Sequence, residues 1–262
     1  MAGKVVVGYL ETEPGHDALA LGTILARATD AELRVVTVDD ADELGPAALA
    51  EGADVVVLGS THRGPLGRIV PGPALDHLLA QTPCRVAVAP PGFAARTDGE
   101  HPWEPLDGNE EDVGMRVIGV GYDGTAGARA ALEFATNLAL ANGATLRLYT
   151  VVPKVAPLVG DAPMTPTPMT TSELDRRRAE LHEVAAGLPA ETRALAVVLR
   201  GYPVPELLKA AGLGVDLLVL GTHVRGHVRR VLHKGVAGEI VMEANCPVLI
   251  CPTPVAAPTP VA

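Results

Sequence analysis

An internal repeat constrains the fold of this 262-residue chain more than any other feature of the sequence. Four apolar segments of the first part recur in the second part, in the same order and with similar residues. The pairs are VVVGY at 5–9 with IGVGY at 118–122, LRVVTV at 33–38 with LRLYTV at 146–151, DVVVLGSTHRG at 54–64 with DLLVLGTHVRG at 216–226, and CRVAVAP at 84–90 with CPVLICP at 246–252. The chain therefore contains two copies of one folding unit.

The two copies differ in length at one place. The first two pairs of segments lie 113 residues apart, as Gly8 does from Gly121, whereas the last two lie 162 apart, as Asp54 does from Asp216. The second copy thus holds 49 residues that have no counterpart between Val38 and Asp54. We expect the first copy to be an abridged version of the second.

The second copy shows alternating strand and helix signals. Short apolar runs predict strands, while Thr170 or Ser172 predicts a helix start and Asn142-Gly143 a helix end. The predicted strands are 116–121, 145–152, 194–199, 217–220 and 248–251, and the predicted helices are 126–141, one opening near 170, 203–211 and one opening near 235. This alternation predicts an α/β fold with two doubly wound parallel sheets, one in each copy.

Composition and charge narrow the class of protein. Aromatic residues make up only 3% of the chain, so aliphatic residues must form its core, and the net charge of −10 argues against a general nucleic-acid-binding protein. The N-terminus passes directly into a strand, and no apolar run reaches the roughly 18 residues of a membrane span, so we expect a cytoplasmic protein without a membrane partner. The cysteines Cys84, Cys246 and Cys251 form no Cys-x-x-Cys pair and are interpreted as reduced, buried and structural.

The loop after the predicted strand 217–220 carries cations and histidines but no acidic residue: Arg225, Arg229, Arg230, Lys234, His223, His227 and His233. At the carboxyl ends of parallel strands, a helix N-terminus offers unpaired N–H groups and partial positive charge, so this loop favours a phosphate. The cations could instead form an ordinary charged face. His223 and His227 have a metal-like spacing, but no acidic or cysteine ligand is close in sequence, so we predict no metal site.

This strand, loop and helix resemble the universal stress protein family, whose ATP-binding members carry G-x2-G-x9-G-[ST] at this place. The chain has Gly221, Val224, Lys234 and Gly235 at the four motif positions, so only the first glycine is in register. The resemblance extends over both copies and implies a Rossmann-like fold of the adenine nucleotide alpha hydrolase type. The resemblance to the ATP-binding members is partial.

The resemblance implies a site for ATP or another adenine nucleotide in the second copy, with Mg²⁺ accompanying ATP. In ATP-binding relatives an aspartate after the first strand meets the adenosine and a backbone group at the end of the second strand contacts adenine, and Asp123 and Val151 match these positions. The residues expected to hold the nucleotide are Asp123, Gly124, Thr125, Val151, Gly221, Thr222, Arg225, Gly226, Lys234, Gly235 and Val236. Asp123 could instead be a turn or helix-capping residue, a role for which Thr125 competes.

The same positions of the first copy argue against a nucleotide. Leu10 stands where the second copy has Asp123, and Glu11 and Glu13 would oppose a polyphosphate. Pro73 replaces the motif's Ser/Thr and removes a backbone donor where a phosphate would need one. We expect the first copy to lack a nucleotide site.

The family's strand order, 3-2-1-4-5, implies that the first copy lacks the third, edge strand and one helix. One face of its four-stranded sheet would then expose apolar side chains, which a neighbouring domain or subunit would cover. Family members pair through their last strands, so we expect Val86–Ala89 beside Val248–Cys251, in a pseudo-dimer within one chain or in a homodimer. The implied domains are residues 1–90 and 115–252, with a linker at 91–114 and a disordered tail at 253–262.

Two functions stay open on the sequence alone. The first is a non-enzymatic stress-response regulator that binds an adenine nucleotide in the second copy. The second is an interaction or dimerisation scaffold of the same fold in which both sites are degenerate. An enzyme is less well supported, because the chain has no Walker motif, no G-x-S-x-G nucleophile elbow and no base beside a nucleophile, and we predict no catalytic residue.

Overall fold

The computed structural model describes residues 3–37, 43–60, 84–97, 115–153, 170–222 and 235–253. These residues form an α/β fold in which helices follow strands along the chain. The elements are β1 (Lys4–Tyr9), α1 (Glu13–Ala28), β2 (Glu32–Thr37), α2 (Leu44–Glu51), β3 (Val55–Gly59), β4 (Arg85–Ala89), α3 (Phe93–Thr97), β5 (Val117–Gly121), α4 (Ala126–Asn142), β6 (Thr145–Val152), α5 (Thr171–Ala186), β7 (Leu195–Arg200), α6 (Pro203–Ala211), β8 (Leu217–Gly221), α7 (Val236–Glu243) and β9 (Val248–Cys251).

The strands of the described residues form one nine-stranded sheet in the order β2-β1-β3-β4-β9-β8-β5-β6-β7. Its last five members, β9-β8-β5-β6-β7, have the predicted family order, with β7 as the third strand of the second copy at the edge. The first copy contributes β2-β1-β3-β4 and, within the described residues, has no counterpart of β7. The predicted α/β fold class is therefore confirmed.

The two copies join into a single sheet through their last strands. β4 and β9 pair antiparallel, with Val86 opposite Ile250 and Val88 opposite Val248, whereas the other neighbouring strands pair parallel. The predicted placement of the last strands side by side is confirmed, and the pairing lies within one chain. The copies thus form one continuous sheet rather than two separate ones, because each covers the other's last edge.

Side-chain contacts reinforce this junction. The Arg96 guanidinium donates a 3.0 Å hydrogen bond to the carbonyl of Asn245, just before β9. The Arg85 guanidinium carbon lies 4.6 Å from the ring centroid of Phe134 on α4, a cation–π geometry. The Asn142 amide at the end of α4 donates to the Ala28 carbonyl at the end of α1 over 3.0 Å.

The two copies use the same devices at equivalent positions. Thr12 and Thr125 cap α1 and α4, each accepting a hydrogen bond from the N–H three residues later. Asp54 accepts from the backbone N–H of Lys4 over 2.9 Å, and Asp216 accepts from those of Arg116 and Val117 over 2.7 and 2.8 Å. Burial raises the pKa of Asp216, and these two backbone hydrogen bonds oppose that rise.

Two apolar layers cover the two faces of the sheet. One layer contains the buried sides of α1 and α4 together with Leu181 of α5. The other contains the buried sides of α2, α6 and α7. The largest fully buried side chains are Leu, Ile, Met and a single phenylalanine, Phe93, as the low aromatic content requires.

Two helices, α2 and α3, lie where no helix was predicted. α2 lies before β3, as α6 lies before β8, so the block missing from the first copy corresponds to α5 and β7. α3 opens the stretch predicted to be a linker, and its Phe93 is buried. The Asp17 carboxylate on α1 holds this segment by accepting from the backbone N–H groups of Gly92 and Ala94 over 2.9 and 2.8 Å.

The shortened first copy leaves part of one sheet face open. Leu33 and Val35 of β2 point to the same side as α1, since alternate residues of a strand share a face. Leu33 is half-buried, but 48% of Val35 is exposed. The predicted exposure of apolar side chains is observed at this strand, while the partner expected to cover it stays a prediction.

Among the described helices, none combines the length and the apolar run that a bilayer crossing requires. The three cysteines are thiols, not disulfides. Burial raises the pKa of Cys246 and of Cys251 to about 12, so neither thiol supplies a nucleophilic thiolate near neutral pH. The interpretation of the cysteines as reduced agrees with these features, and the expected burial holds for Cys84 and Cys251, whereas Cys246 is only partly buried.

Candidate functional site

The candidate site lies at the carboxyl ends of β5 and β8, which are neighbours in the sheet. The helix that follows β5 is α4, which packs on one face, and the helix that follows β8 is α7, which packs on the opposite face. Chain connections that leave two adjacent parallel strands toward opposite faces create a crevice at a topological switch point. In open α/β sheets, ligands bind in such a crevice.

Asp123 lies in the turn between β5 and α4 and has an exposed side chain. Its Oδ1 accepts hydrogen bonds from the backbone N–H and the hydroxyl of Thr125, over 3.0 and 2.6 Å. Gly124, between them, has a φ of +81°, in the left-handed region that favours glycine. The carboxylate thus closes the turn, as the turn interpretation predicts, whereas Thr125 is the residue that caps α4.

Val151 presents its backbone to the same crevice. The Tyr149 carbonyl accepts a 2.8 Å hydrogen bond from the Tyr122 N–H, on the β5 side of β6. The N–H and C=O of one strand residue point to one side and alternate along the strand, so those of Val151 also point toward β5. β5 ends at Gly121, opposite Tyr149, so no described strand continues beside Val151 on that side.

Thr150 holds the turn from the β6 side, by donating its hydroxyl to the Tyr122 carbonyl over 2.7 Å. Arg129, in the first turns of α4, holds it from the helix side, since its guanidinium donates to the Gly124 carbonyl. Sequence reasoning missed both residues. Their positions in the sequence could have indicated them. Thr150 directly precedes Val151, and Arg129 follows the capping Thr125 by four residues, one helical turn.

Gly221 allows β8 to end against the first turn of α4. A Cβ at this position would lie 2.1 Å from the carbonyl carbon of Gly127 and 2.5 Å from the backbone nitrogen of Ala128. Real Cβ atoms do not approach backbone that closely, so only glycine fits. Gly221 therefore allows the end of β8 to approach the start of α4 this closely.

The hydroxyl and the carbonyl of Thr222 are engaged in hydrogen bonds at the end of the sheet. It is buried, and its hydroxyl accepts a 3.2 Å hydrogen bond from the N–H of Thr253, which follows β9. The Thr253 hydroxyl in turn donates to the Thr222 carbonyl. These bonds join the ends of β8 and β9 and occupy the hydroxyl.

Gly235 and Val236 begin α7. Gly235 is the residue before the first turn, with extended backbone (φ −105°, ψ 157°), and no side chain caps the helix start there. Val236 is 40% exposed. The remaining predicted ligands, Arg225, Gly226 and Lys234, lie outside the described residues, as do Val224 and Pro73.

The equivalent place in the first copy has different chemistry. Leu10 replaces Asp123 and is 39% exposed, and here the Thr12 N–H donates to the Leu10 carbonyl over 2.8 Å, so backbone closes the turn. His16 takes the place of Arg129. Its Nε2 lies 3.2 Å from the Tyr9 hydroxyl, and the two rings meet edge to face.

Ser60 is the first-copy equivalent of Thr222, and its buried hydroxyl has no hydrogen-bond partner among the described residues. The reason is visible in the repeat. Thr222 is bonded by the N–H of Thr253, whose counterpart in the first copy is Pro91, and proline has no N–H.

This difference predicts opposite effects for two equivalent substitutions. Ser60→Ala removes an unsatisfied hydroxyl and is expected to leave the free energy of unfolding unchanged or to raise it by up to about 1 kcal/mol. Thr222→Val leaves the Thr253 N–H without its acceptor and is expected to lower the free energy of unfolding by about 1–3 kcal/mol. Chemical denaturation of both variants measures the two changes, and equal losses would contradict this explanation.

The described residues offer groups that can bind a ligand at this switch point. No group of three or more potential metal ligands occurs among them. At the switch point they supply a carboxylate, the strand backbone at the end of β6 and two helix starts. These groups can hold hydroxyls, a heterocycle edge and an anion.

The comparisons with known proteins agree with this fold. A family model described as the universal stress protein family matches residues 114–252, more than half of the chain. The chain belongs to the universal stress protein family. A universal stress protein of Thermus aquaticus, from the 3′ region of the QAH/OAS sulfhydrylase gene, is 32% identical over 143 residues, which cover 52% of this chain and 98% of the relative.

Other universal stress proteins match more of the chain. Universal stress protein Rv2319c of Mycobacterium tuberculosis is 26% identical over 205 residues, 76% of this chain and 64% of the relative. The structure of a universal stress protein from Archaeoglobus fulgidus matches with a TM-score of 0.58 and 16% identity, over 96% of this chain and 88% of that one. Protein PA1789 of Pseudomonas aeruginosa matches with a TM-score of 0.63 and 15% identity, over 96% and 93%. These structures share the fold across both copies.

Proposed function

We propose that this universal stress protein is a non-enzymatic regulator that binds an adenine nucleotide at the β5–β8 switch point of its second copy. The observation that carries the proposal is the backbone of Val151, which points past the end of β5 into the crevice that Asp123 borders. A strand end of this kind can donate to and accept from the edge of a purine. The Asp123 carboxylate can accept hydrogen bonds from ribose hydroxyls.

The N-terminus of α7 supports binding of the nucleotide's phosphates. Its first N–H groups have no side-chain cap at Gly235, so they remain suited to an anion. Thr222 does not fit as a ligand through its hydroxyl, because Thr253 engages it. We therefore assign to Thr222 a structural role and keep Asp123, Gly124, Thr125, Val151, Gly221, Gly235 and Val236 as the proposed site among the described residues.

The proposal places the site in the second copy only. Leu10 offers no carboxylate where Asp123 stands, and the exposed Glu11 and Glu13 would repel a phosphate. The domain division at residues 1–90 and 115–252 belongs to the same proposal. The internal β4–β9 pair would then let the incomplete first copy serve as the permanent partner of the nucleotide-binding one.

Nucleotide binding is tested by titrating the purified protein with ATP, ADP and AMP in a calorimeter, and by heating it and analysing the supernatant for released nucleotide. Asp123→Ala removes a charged hydrogen-bond acceptor and is expected to weaken binding about 10-fold to 100-fold. Asp123→Asn can still accept from Thr125 and separates loss of charge from loss of the turn. Leu10→Ala, at the equivalent place in the first copy, is the matched control and should leave affinity unchanged.

No released nucleotide, together with no binding at millimolar concentrations of any of the three, would overturn the proposal. The interaction scaffold would then be the better reading, and the 48% exposed Val35 on the open face of β2 favours it. Equal weakening by Leu10→Ala and Asp123→Ala would also contradict the assignment to the second copy.

A further inference from the structure

We infer that Arg129 is a positioning residue for the nucleotide site, acting through the Gly124 carbonyl to fix the turn that carries Asp123. This inference rests on the proposed function. The Arg129 guanidinium lies on the first turns of α4 and donates to the Gly124 carbonyl, directly after Asp123. It thereby ties the turn to the helix that the turn precedes.

The turn needs such a tether because of its backbone. Gly124 has a φ of +81°, and a Cβ placed on it would meet no heavy atom within 4 Å, so packing does not hold this residue. Glycine has more backbone freedom than any other residue. The hydrogen bond from Arg129 therefore restricts the one residue between Asp123 and Thr125.

The other side of the turn is already anchored. Tyr122 donates its N–H to the Tyr149 carbonyl over 2.8 Å and accepts from the Thr150 hydroxyl over 2.7 Å. With Arg129 bound to Gly124, the turn is held both by β6 and by α4. The Asp123 carboxylate is then presented from a backbone fixed on both sides.

The first copy has no carboxylate in the equivalent turn, where Leu10 replaces Asp123, and it has a different residue at the position of Arg129. His16 occupies it and pairs with the Tyr9 hydroxyl. The Thr12 N–H closes that turn by donating to the Leu10 carbonyl. Within the two described copies, the long cationic side chain occurs at the turn that carries the aspartate.

The test compares adenosine, which has no phosphate, with ATP. Arg129 acts on the turn that carries Asp123, which both ligands would contact. Arg129→Ala is therefore expected to lower the affinities for adenosine and for ATP by the same factor, about 3-fold to 10-fold, as the loss of one hydrogen bond implies. Arg129→Gln keeps a side-chain N–H donor without the charge and should restore part of the affinity for both. His16→Ala is the matched control and should change neither.

Three outcomes would overturn the inference. Unchanged affinities in Arg129→Ala would mean that the hydrogen bond has no role in binding. A lower affinity for ATP with an unchanged affinity for adenosine would show that Arg129 contacts the phosphates instead. Failure of Arg129→Gln to restore either ligand would show that charge, not the hydrogen bond to Gly124, matters.

Amide hydrogen exchange keeps the inference separate from the proposed function. In Arg129→Ala the Thr125 amide, which donates to Asp123 Oδ1, should exchange faster than in wild type, while the Thr12 amide of the first copy should not change. If wild type binds neither adenosine nor ATP, the proposed function fails. Unaltered exchange at Thr125 would then show that Arg129 does not position the turn either.

Discussion

Replacing Asp17 with alanine is expected to lower the free energy of unfolding by about 3–5 kcal/mol. Asp17 is 1% exposed, and its two carboxylate oxygens accept from the N–H groups of Gly92 and Ala94 over 2.9 and 2.8 Å. Hydrogen bonds to a charged group contribute about 1.5–3 kcal/mol each, and alanine would leave both part-buried donors without this acceptor. Equilibrium denaturation in urea measures the change.

Two further variants sharpen this prediction. Asp17→Asn keeps one acceptor oxygen and is expected to cost about half as much as Asp17→Ala. Glu13→Ala, an exposed carboxylate on the same helix, should change stability by less than about 0.5 kcal/mol. A loss in Asp17→Ala no larger than that of Glu13→Ala would contradict the assigned role of Asp17 in fixing α3.

Gly221→Ala is expected to lower the free energy of unfolding by about 3 kcal/mol or more, at the upper end of overpacking effects. The new methyl group would lie 2.1 Å from the Gly127 carbonyl carbon and 2.5 Å from the Ala128 nitrogen. These are backbone atoms of the capped first turn of α4, so they cannot turn aside as a flexible side chain would. Denaturation midpoints and the affinity for ATP measure the effect on the fold and on the crevice.

Gly124→Ala is the control at the same end of the sheet. There a methyl group would meet no heavy atom within 4 Å, and the cost arises only from a φ of +81°. Left-handed backbone costs an alanine about 1–2 kcal/mol. If Gly124→Ala proved as damaging as Gly221→Ala, close approach would not be the property that requires glycine at 221.

Much of the fold could be predicted from the sequence because the repeat fixes equivalent elements. The helix expected to end at Asn142-Gly143 does so, with Gly143 at a φ of +62° as the C-cap. The helix over Pro203–Ala211 has the predicted bounds. The pairing of β4 with β9 followed from the resemblance to a family whose members pair through their last strands, and the sheet confirms it.

The parts that sequence could not predict depend on contacts between distant residues. α3 is too short to show a helical period, and it is held by Asp17, some seventy-five residues earlier in the chain. Nothing in the sequence around Ser60 indicates that Pro91 would leave its hydroxyl without a donor. These features become visible only when strand ends are placed side by side.

Some residues of the candidate site could be predicted from the sequence, and others could not. Strand ends and the resemblance predict Asp123, Val151 and Gly221 as site residues, and the sheet brings the ends of β5, β6 and β8 together. The hydrogen bond between the Thr253 N–H and the Thr222 hydroxyl could not be predicted, because it joins strand ends that are distant in sequence. Arg129 was missed because no motif marks a side chain that acts on a backbone carbonyl.

The pairing of β4 with β9 within one chain joins the two copies into a single sheet, and the fold and the proposed role of the first copy depend on it. Val88 lies directly opposite Val248 in this antiparallel pair, a separation that a disulfide can span. Introducing Val88→Cys with Val248→Cys and oxidising the protein should therefore cross-link the two positions. Val86→Cys with Val248→Cys, two residues out of register, is the matched control and should not cross-link.

Non-reducing electrophoresis with mass mapping of the linked peptides gives the decisive measurement. We expect the Val88→Cys and Val248→Cys variant to yield a monomeric chain with one peptide pair joined at positions 88 and 248. Covalent dimers joined at these positions would show that the last strands pair between chains. No link at all, with both introduced thiols accessible in the native protein, would show that the two copies do not share one sheet.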